Sequence, residues 1–402
     1  MNKKNIKIII GNTSVEKILN EKPFEIFSED VIKLFSLISK DILNYKKINS
    51  FPDLASYGFF CREINLNSIK KKYHNHTSER GGRGLALHFT PSNVPLNFAY
   101  SLFFSLITGN ATIIRIGKNN YEQTKIFLNF LKKRLDTNFF KSLSKKVLII
   151  NYEKNNEINN YLSKNCEIRI IWGGDNSINE IRKSKIEPHA YELTFPDRYS
   201  LCIISSSDYL NSYDPKNEAI KFYNDTLTFD QNACTSPRLI IWNGTKQINS
   251  KARLKFWKYY GKIVKNKKYL FKEGTIIQKI KSQYSSAIEL GGKNPSLTKD
   301  NYIKNSIIKN FPNNLENFNA PGGFFLEYYC SDLNIIKKKL STKIQTITSI
   351  GFSTKEIAKK IDVFNSKGVF RVVPNGQSSN MDLIWDGYEI IFQMSKKINL
   401  NL

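Results

Sequence analysis

From Arg83 onward the chain alternates between short, continuous apolar runs and apolar or amphipathic stretches of helical length. GLALHF (Gly84 to Phe89) predicts a buried strand, and TPSNVP a tight loop framed by two prolines. NFAYSLFFSLI then predicts a helix apolar all round, which Gly109 and Asn110 are suited to end, and ATIIRI (Ala111 to Ile116) a second buried strand. Strand, loop, helix and strand within about 30 residues make a βαβ unit with a right-handed crossover. The alternation continues with a helix over Tyr121 to Leu135, the strand KVLIINY, a short helix, the strand EIRIIWGG, a helix over Ile178 to Ile186 and the strand AYELTF. Continuous apolar strands alternating with helices predict a doubly wound α/β sheet of the nucleotide-binding type.

The second half is also α/β. A helix over Glu218 to Leu227 leads into TFDQNACTSP and the strand RLIIWNG, followed by a basic helical stretch, Lys251 to Lys268. The strands FFLEYYC and TITSIGF, a helix over Thr354 to Phe364 and VFRVVP complete it. The tail stretch YEIIFQMS alternates as an exposed or exchanged strand does. The expected division is a mostly helical, Lys-rich lead-in at 1–82, a cofactor-binding domain at 83–198, a catalytic domain at 199–375 and a tail at 376–402 carrying an oligomerisation strand. A homo-oligomer follows from that tail.

Composition changes this picture little. In 402 residues, 41% are hydrophobic and 13% aromatic, enough for sizeable cores. Charge is the unusual quantity: 61 Lys+Arg against 35 Asp+Glu, a net of +26. Such a field suits a nucleic-acid binder, which stands as a distant alternative function. The basic residues are spread through the chain, however, with no zinc-finger spacing and no aromatic RNA-binding signature, so no nucleic acid is expected. The five cysteines, Cys61, Cys166, Cys202, Cys234 and Cys330, include no C-x-x-C pair and an odd number, which suits a reducing cytoplasm. The apolar stretch at the N-terminus is too short for a signal peptide, and Leu96 to Ile107 falls short of the roughly 20 residues that span a bilayer.

Two segments carry candidate chemistry. Cys234 lies between a predicted helix and strand with small neighbours, Ala233, Thr235 and Ser236, that leave room around its sulfur. It is either a nucleophile, which needs a stabilised thiolate, or an inert structural cysteine. Asn93 sits between Pro91 and Pro95, where rigid framing can aim an amide at a developing oxyanion; a turn or helix-capping role is the alternative. His74, His76, His88 and His189 form no metal-ligand spacing, and no metal is expected.

Together the segments resemble a known family. GLALHFTPSNVPLNFAY is similar to the bacterial long-chain acyl-CoA reductases, the fatty-acid reductase component of luminous bacteria, within the aldehyde-dehydrogenase superfamily. The likeness recurs in family order at GNATIIRI, IIWGGD, YELTFPDRYSLCII, FYNDTLTFDQNACTSP and FRVVPNGQSSNMDLIWDGYEII. It implies an aldehyde-dehydrogenase-like α/β fold, with a Rossmann-type cofactor domain, a catalytic domain and a small oligomerisation element. It implies that Cys234 becomes acylated and that Asn93 forms half of the oxyanion hole. The ordered match to the superfamily's general base is Glu192, although a reductase has reason to suppress hydrolysis of its acyl-enzyme. A second stretch, Glu289 to Pro295 (ELGGKNP), looks more like that base's usual block, but follows the nucleophile instead of preceding it and is taken as a coincidental turn.

Thr90, Pro91 and Ser92, the glycines Gly173 and Gly174, and the strand-end cations Arg115 and Lys118 fall at cofactor-contacting positions. Related enzymes that prefer the unphosphorylated cofactor usually carry Glu where Lys118 stands. Two cations in that strand favour a 2′-phosphate, hence NADPH. The implied reaction is reduction of an acyl thioester, acyl-CoA or an acyl-protein charged by an acyl-activating partner enzyme, to an aldehyde. An aldehyde-oxidising or CoA-acylating dehydrogenase is the alternative.

Overall fold

The computed structural model describes residues 6–118, 121–270, 273–293 and 301–400. Two compact units divide the chain, one taking the residues up to Pro196 together with those from Met381 on, the other Asp197–Asn380.

The first unit contains β1 (Lys7–Ile10), β2 (Arg80–Gly82), β3 (Leu85–Phe89), β4 (Ala111–Arg115), β5 (Val147–Asn151), β6 (Ile168–Trp172) and β7 (Tyr191–Phe195). Six of them form a sheet ordered β1-β5-β4-β3-β6-β7, in which β3 to β7 are parallel and β1 is an antiparallel edge. Every residue of β3 and β6 is buried, as central strands covered on both faces require. From β3 the order runs outward through β4 to β5 on one side and through β6 to β7 on the other. The point where it reverses lies between β3 and β6, and ligands of such sheets bind there, beyond the carboxyl ends of the strands. The predicted helix forms at Asn97–Ile107 and buries nine of its residues, including Phe103 edge-on to Phe35 at 5.0 Å. That second helical layer explains its apolar character all round. The lead-in is helical at Glu29–Leu43, Pro52–Phe60 and Glu63–Thr77, but it also supplies β1, which the sequence reading did not anticipate.

The second unit has β8 (Tyr199–Ser205), β9 (Pro237–Asn243), β10 (Lys304–Ile308), β11 (Phe324–Cys330), β12 (Ile344–Ile350) and β13 (Arg371–Pro374). They make an all-parallel sheet ordered β10-β11-β9-β8-β12-β13. One face packs Cys202, Ile204 and Ile240 against Phe222, Phe256 and Tyr260; the other packs Leu201, Ile203 and Leu239 against Ile336, Ile357 and Ile361. A fully buried carboxylate, Glu327, is satisfied in that core by the indoles of Trp242 and Trp257 (2.8 and 2.9 Å), Arg253 Nε (2.9 Å) and Asn305 Nδ2 (2.6 Å). Such a network holds the unit together; it leaves no lone pair for chemistry.

The tail corrects the strand reading of YEIIFQMS. A hairpin of β14 (Ile384–Trp385) and β15 (Tyr388–Glu389) is followed by a helical turn, Ile390–Gln393. Ile390, Ile391 and Met394 are buried, the spacing of a helical turn and not of a strand. After that turn β16 (Ser395–Lys397) is extended and pairs antiparallel with β2 of the same chain. Arg80 Nε donates to Ser395 Oγ at 2.7 Å and Asn110 Nδ2 to Met394 O at 2.8 Å, so the tail is anchored on the first unit.

Candidate active site

The loop after β3 is fixed at its root. Thr90 donates both its N–H and its hydroxyl to the carbonyl of Arg115, at 3.2 and 3.1 Å, tying the ends of β3 and β4 together. After Pro91 the chain bends at Ser92 and Asn93. A Cβ at Gly117 would lie 2.8 Å from Ser92 Cβ, so only glycine lets the exit of β4 pass this loop; the sequence reading missed it. Asn93 is exposed, and its amide has no hydrogen-bond partner among the described residues. It does not cap the following helix, whose N-cap is Leu96 with no side-chain bond. The capping alternative therefore has no support in the geometry.

A cleft of about 310 Å³ opens in the first unit, lined by residues including Phe89, Arg115, Tyr152, Lys154, Ser177 and Glu180. Phe89 and Arg115 are the last residues of β3 and β4, so the cleft lies at the carboxyl edge of the sheet. Arg115 is steadied by a hydrogen bond to Tyr152 O (3.3 Å), with its guanidinium 5.5 Å from the Tyr152 ring centroid. Lys118 is placed differently from the expectation. It is exposed and paired with Glu153 at 2.7 Å, which pulls that carboxyl below its usual range, and it does not line the cleft. The cleft's second cation is Lys154, paired with Glu180 at 3.2 Å.

On the other side of the switch point, Gly174 is the N-cap of the helix Asp175–Arg182 and provides no capping side chain. Its first-turn N–H groups are the kind that receive a pyrophosphate. Gly173 donates to Phe195 O at 3.2 Å, and a Cβ there would stand 3.3 Å from Ser177 Cβ. Just before it, the buried indole N–H of Trp172 has no partner among the described residues, although its ring stacks on Phe195 at 3.7 Å. An open cleft at the switch point, a cation at its wall, an uncapped helix start and an orphaned donor fit a dinucleotide.

Glu192 stands elsewhere. It is the second residue of β7, toward the amino end of its strand, and Arg169 Nε and Arg182 Nε each donate to it at 2.7 Å. A carboxylate held by two guanidiniums, away from the carboxyl edge, has neither the freedom nor the position of a general base. His88 is also a core residue. Burial pulls its pKa down to about 3, and its Nε2 lies 2.5 Å from Ser105 Oγ. Glu289 is exposed near the end of a helix that stops at Leu290, where Gly291 takes φ +60; Asn294 and Pro295 lie outside the described residues. Among the described residues no group of His, Cys, Asp and Glu could hold a metal ion.

In the second unit the nucleophile candidate is carried on a braced loop. Asp230 and Gln231 both take left-handed backbone (φ 52 and 56), a cost that persists only where surroundings impose it. The fully buried Gln231 imposes it here. Its Nε2 donates to Pro237 O and Phe324 O (3.2 and 3.1 Å), and its Oε1 accepts from Gly323 N and Phe324 N (2.8 and 3.2 Å). Cys234 follows, its carbonyl accepting from Ser200 Oγ at 2.7 Å. Arg238 donates to Gln231 O and to Asn319 Oδ1 beside it. Burial lowers the Arg238 pKa to about 10, while Tyr199 and Cys234 pull it upward. Arg238 is thus a cation in electrostatic contact with Cys234. Neither Gln231 nor Arg238 was singled out in the sequence, although Arg238 directly follows the TSP segment.

Cys234 is partly exposed, whereas the other four cysteines are buried. Burial pushes the Cys166 and Cys202 thiols up to about 12 and raises those of Cys61 and Cys330. Alkylation with iodoacetamide, read by peptide mass spectrometry at neutral pH, should therefore be fastest at Cys234. Arg238→Gln should slow it roughly three- to tenfold and move its pH profile upward, leaving the high-pH limit unchanged. A change in the high-pH limit alone would mean that Arg238 only shapes the loop.

Solved structures with this fold include proline utilization A from Corynebacterium freiburgense (TM-score 0.66, 12% identity, 96% of this chain and 43% of that one). Aldehyde dehydrogenase 21 from Physcomitrella patens (TM-score 0.62, 12% identity, 91% and 84%) and an oxidoreductase from Marinobacter aquaeolei (TM-score 0.66, 10% identity, 93% and 86%) share it too. The architecture is that of the aldehyde dehydrogenases. A long-chain acyl-protein thioester reductase of Vibrio harveyi is 25% identical over 304 residues, 74% of this chain. The chain spans 59% of that relative's length. The acyl-CoA reductase (LuxC) family model matches residues 62–396, and the chain belongs to that family.

Proposed function

We propose that this chain reduces an acyl thioester to an aldehyde through an acyl-enzyme on Cys234. The observation that carries the reading is the loop itself: a partly exposed cysteine, in electrostatic contact with the half-buried Arg238, on backbone braced by Gln231. The Cys234 thiolate attacks the thioester carbonyl, the new C–S bond forms and the departing thiolate leaves. A bound nicotinamide cofactor supplies the hydride that reduces the acyl-enzyme carbonyl. The Asn93 amide donates to the oxyanion, and collapse breaks the C–S bond, releasing aldehyde and restoring the thiolate. With Glu192 tied to Arg169 and Arg182, no base is offered there for hydrolysis of the acyl-enzyme, which favours reduction over oxidation to a free acid. The acyl group comes from CoA, as the family's description has it, or from an acyl-protein, as the name of the Vibrio relative has it. The test is aldehyde formation from acyl-CoA and reduced cofactor. Acid formation from aldehyde, with no thioester reduction, would overturn it.

The cofactor in this reading is NADPH, supported by Arg115 and Lys154 at the cleft. Arg115→Gln should lower the preference for NADPH over NADH by about ten- to a hundredfold, a charge-assisted contact being worth roughly 1.5–3 kcal/mol. The loss should appear in binding, measured by fluorescence titration of each cofactor. Lys118→Glu should do less, because Lys118 already faces Glu153 at an exposed site. Equal binding of both cofactors to the unsubstituted protein would end the NADPH assignment.

A further inference from the structure

The helix Glu273–Leu290 is amphipathic in the wrong sense. Its inward face is polar: Lys279 is fully buried, and its ammonium donates to the carbonyls of Asn301, Tyr302 and Gly322 at 2.6, 3.1 and 2.8 Å. Ser282 Oγ donates to Asn319 O at 3.1 Å and Gln283 Nε2 to Asn305 O at 3.0 Å on the same side. Its outward face carries Ile277, Ile280, Tyr284 and Ile288, with exposures of 71%, 37%, 65% and 82%. At 100° per residue these four fall within one narrow stripe, opposite Lys279, Ser282 and Ser286. The buried ammonium is satisfied by its three carbonyls, but leaving three isoleucines in water is unfavourable unless the outer face is covered.

The surrounding charge selects what covers it. Lys281 borders the stripe, and the segment leading to the helix carries the exposed Lys265, Lys267 and Lys268 followed by Leu270, itself 87% exposed. From Lys246 to Lys268 the chain contains no acidic residue, and the whole protein is +26. A second copy would bring the same positive field to the contact, whereas an anionic surface complements it. Apolar side chains flanked by lysines, with a tyrosine among them, are the features of a helix lying in a membrane interface. From Ile277 to Ile288 the stripe is about 17 Å long on a helix of 18 residues. No helix of the described residues is long and apolar enough to cross a membrane, so the contact lies in the plane of the surface.

We propose that the outer face of Glu273–Leu290 docks the protein on an anionic lipid surface. The proposal stands apart from the thioester chemistry, although the carbonyl that Lys279 grips belongs to Gly322, whose N–H donates to Asp230 O in the nucleophile loop.

The test is flotation of the full-length protein with vesicles of phosphatidylcholine alone and of phosphatidylcholine with phosphatidylglycerol, near physiological ionic strength. Binding is expected to the anionic vesicles only. The double variant Ile277→Ser with Ile288→Ser should weaken it at least tenfold, since each isoleucine loses apolar contact worth about a factor of ten or more. Lys281→Glu should weaken it as well. All three side chains are exposed, so the thermal midpoint should stay unchanged, and a variant that unfolds is replaced by Tyr284→Ser with the same expectation. No binding to anionic vesicles would overturn the proposal, and so would binding indifferent to the isoleucine variant. A double variant that instead converts a dimer to a monomer by light scattering would assign the face to a second copy and also overturn it.

Discussion

Cys234→Ala should abolish aldehyde formation while leaving nicotinamide cofactor binding and the unfolding midpoint unchanged. The sulfur is the atom that forms and breaks the bond to the acyl group, and no other cysteine can replace it, because the remaining four are buried with raised pKa values. Loss of a covalent nucleophile costs on the order of 10⁶ in turnover where it has been separated from binding effects. Cys234→Ser should be nearly as inactive, since a hydroxyl is almost wholly un-ionised at neutral pH. The structural cost is small, because the loop is held through Gln231, Ser200 and Arg238 and not through the thiol. A Cys234→Ala protein with measurable turnover would remove the nucleophile from this account.

Asn93→Ala carries the next largest effect, a fall in kcat of about 10²–10³, with KM for the thioester changed little. The contrast between kcat and KM follows from the role. A donor that tightens only as the oxyanion forms contributes to the transition state and not to ground-state binding. The structure also supplies a control. Asn93 is exposed, its amide bonds to no described residue and it caps no helix, so removing the amide should leave thermal stability where it was. Turnover within a few-fold of the unsubstituted enzyme would reduce Asn93 to a turn residue. A large loss of stability would show that the loop depends on it.

The parts of the fold that could be read from sequence are those with local signatures. GLALHF, KVLIINY and EIRIIWGG are continuous apolar runs because β3, β5 and β6 are covered on both faces, and the loops at Thr90 and Gly173 follow directly from them. β1 escaped because a four-residue edge strand needs only one buried position, here Ile10. The tail misled because YEIIFQMS opens as a strand at Tyr388 and Glu389, while the buried positions that follow, Ile390, Ile391 and Met394, carry helical spacing. Cys234 and Asn93 were found through residue type and framing. Their supports were not, since Gln231 bonds to Phe324, 93 positions away, and Lys154 reaches the cleft of Arg115 from the far side of β5. Glu192 shows the converse: a local match suggested a base, and the two arginines that occupy it come from other elements.

The covalent acyl-enzyme is open to intact-protein mass spectrometry after mixing with acyl-CoA in the absence of cofactor. One added acyl group per chain is expected, located on the peptide containing Cys234, absent in Cys234→Ala and discharged as aldehyde when NADPH is added. An unmodified chain that still produces aldehyde on addition of NADPH, or an acyl group on another residue that turns over, would contradict it.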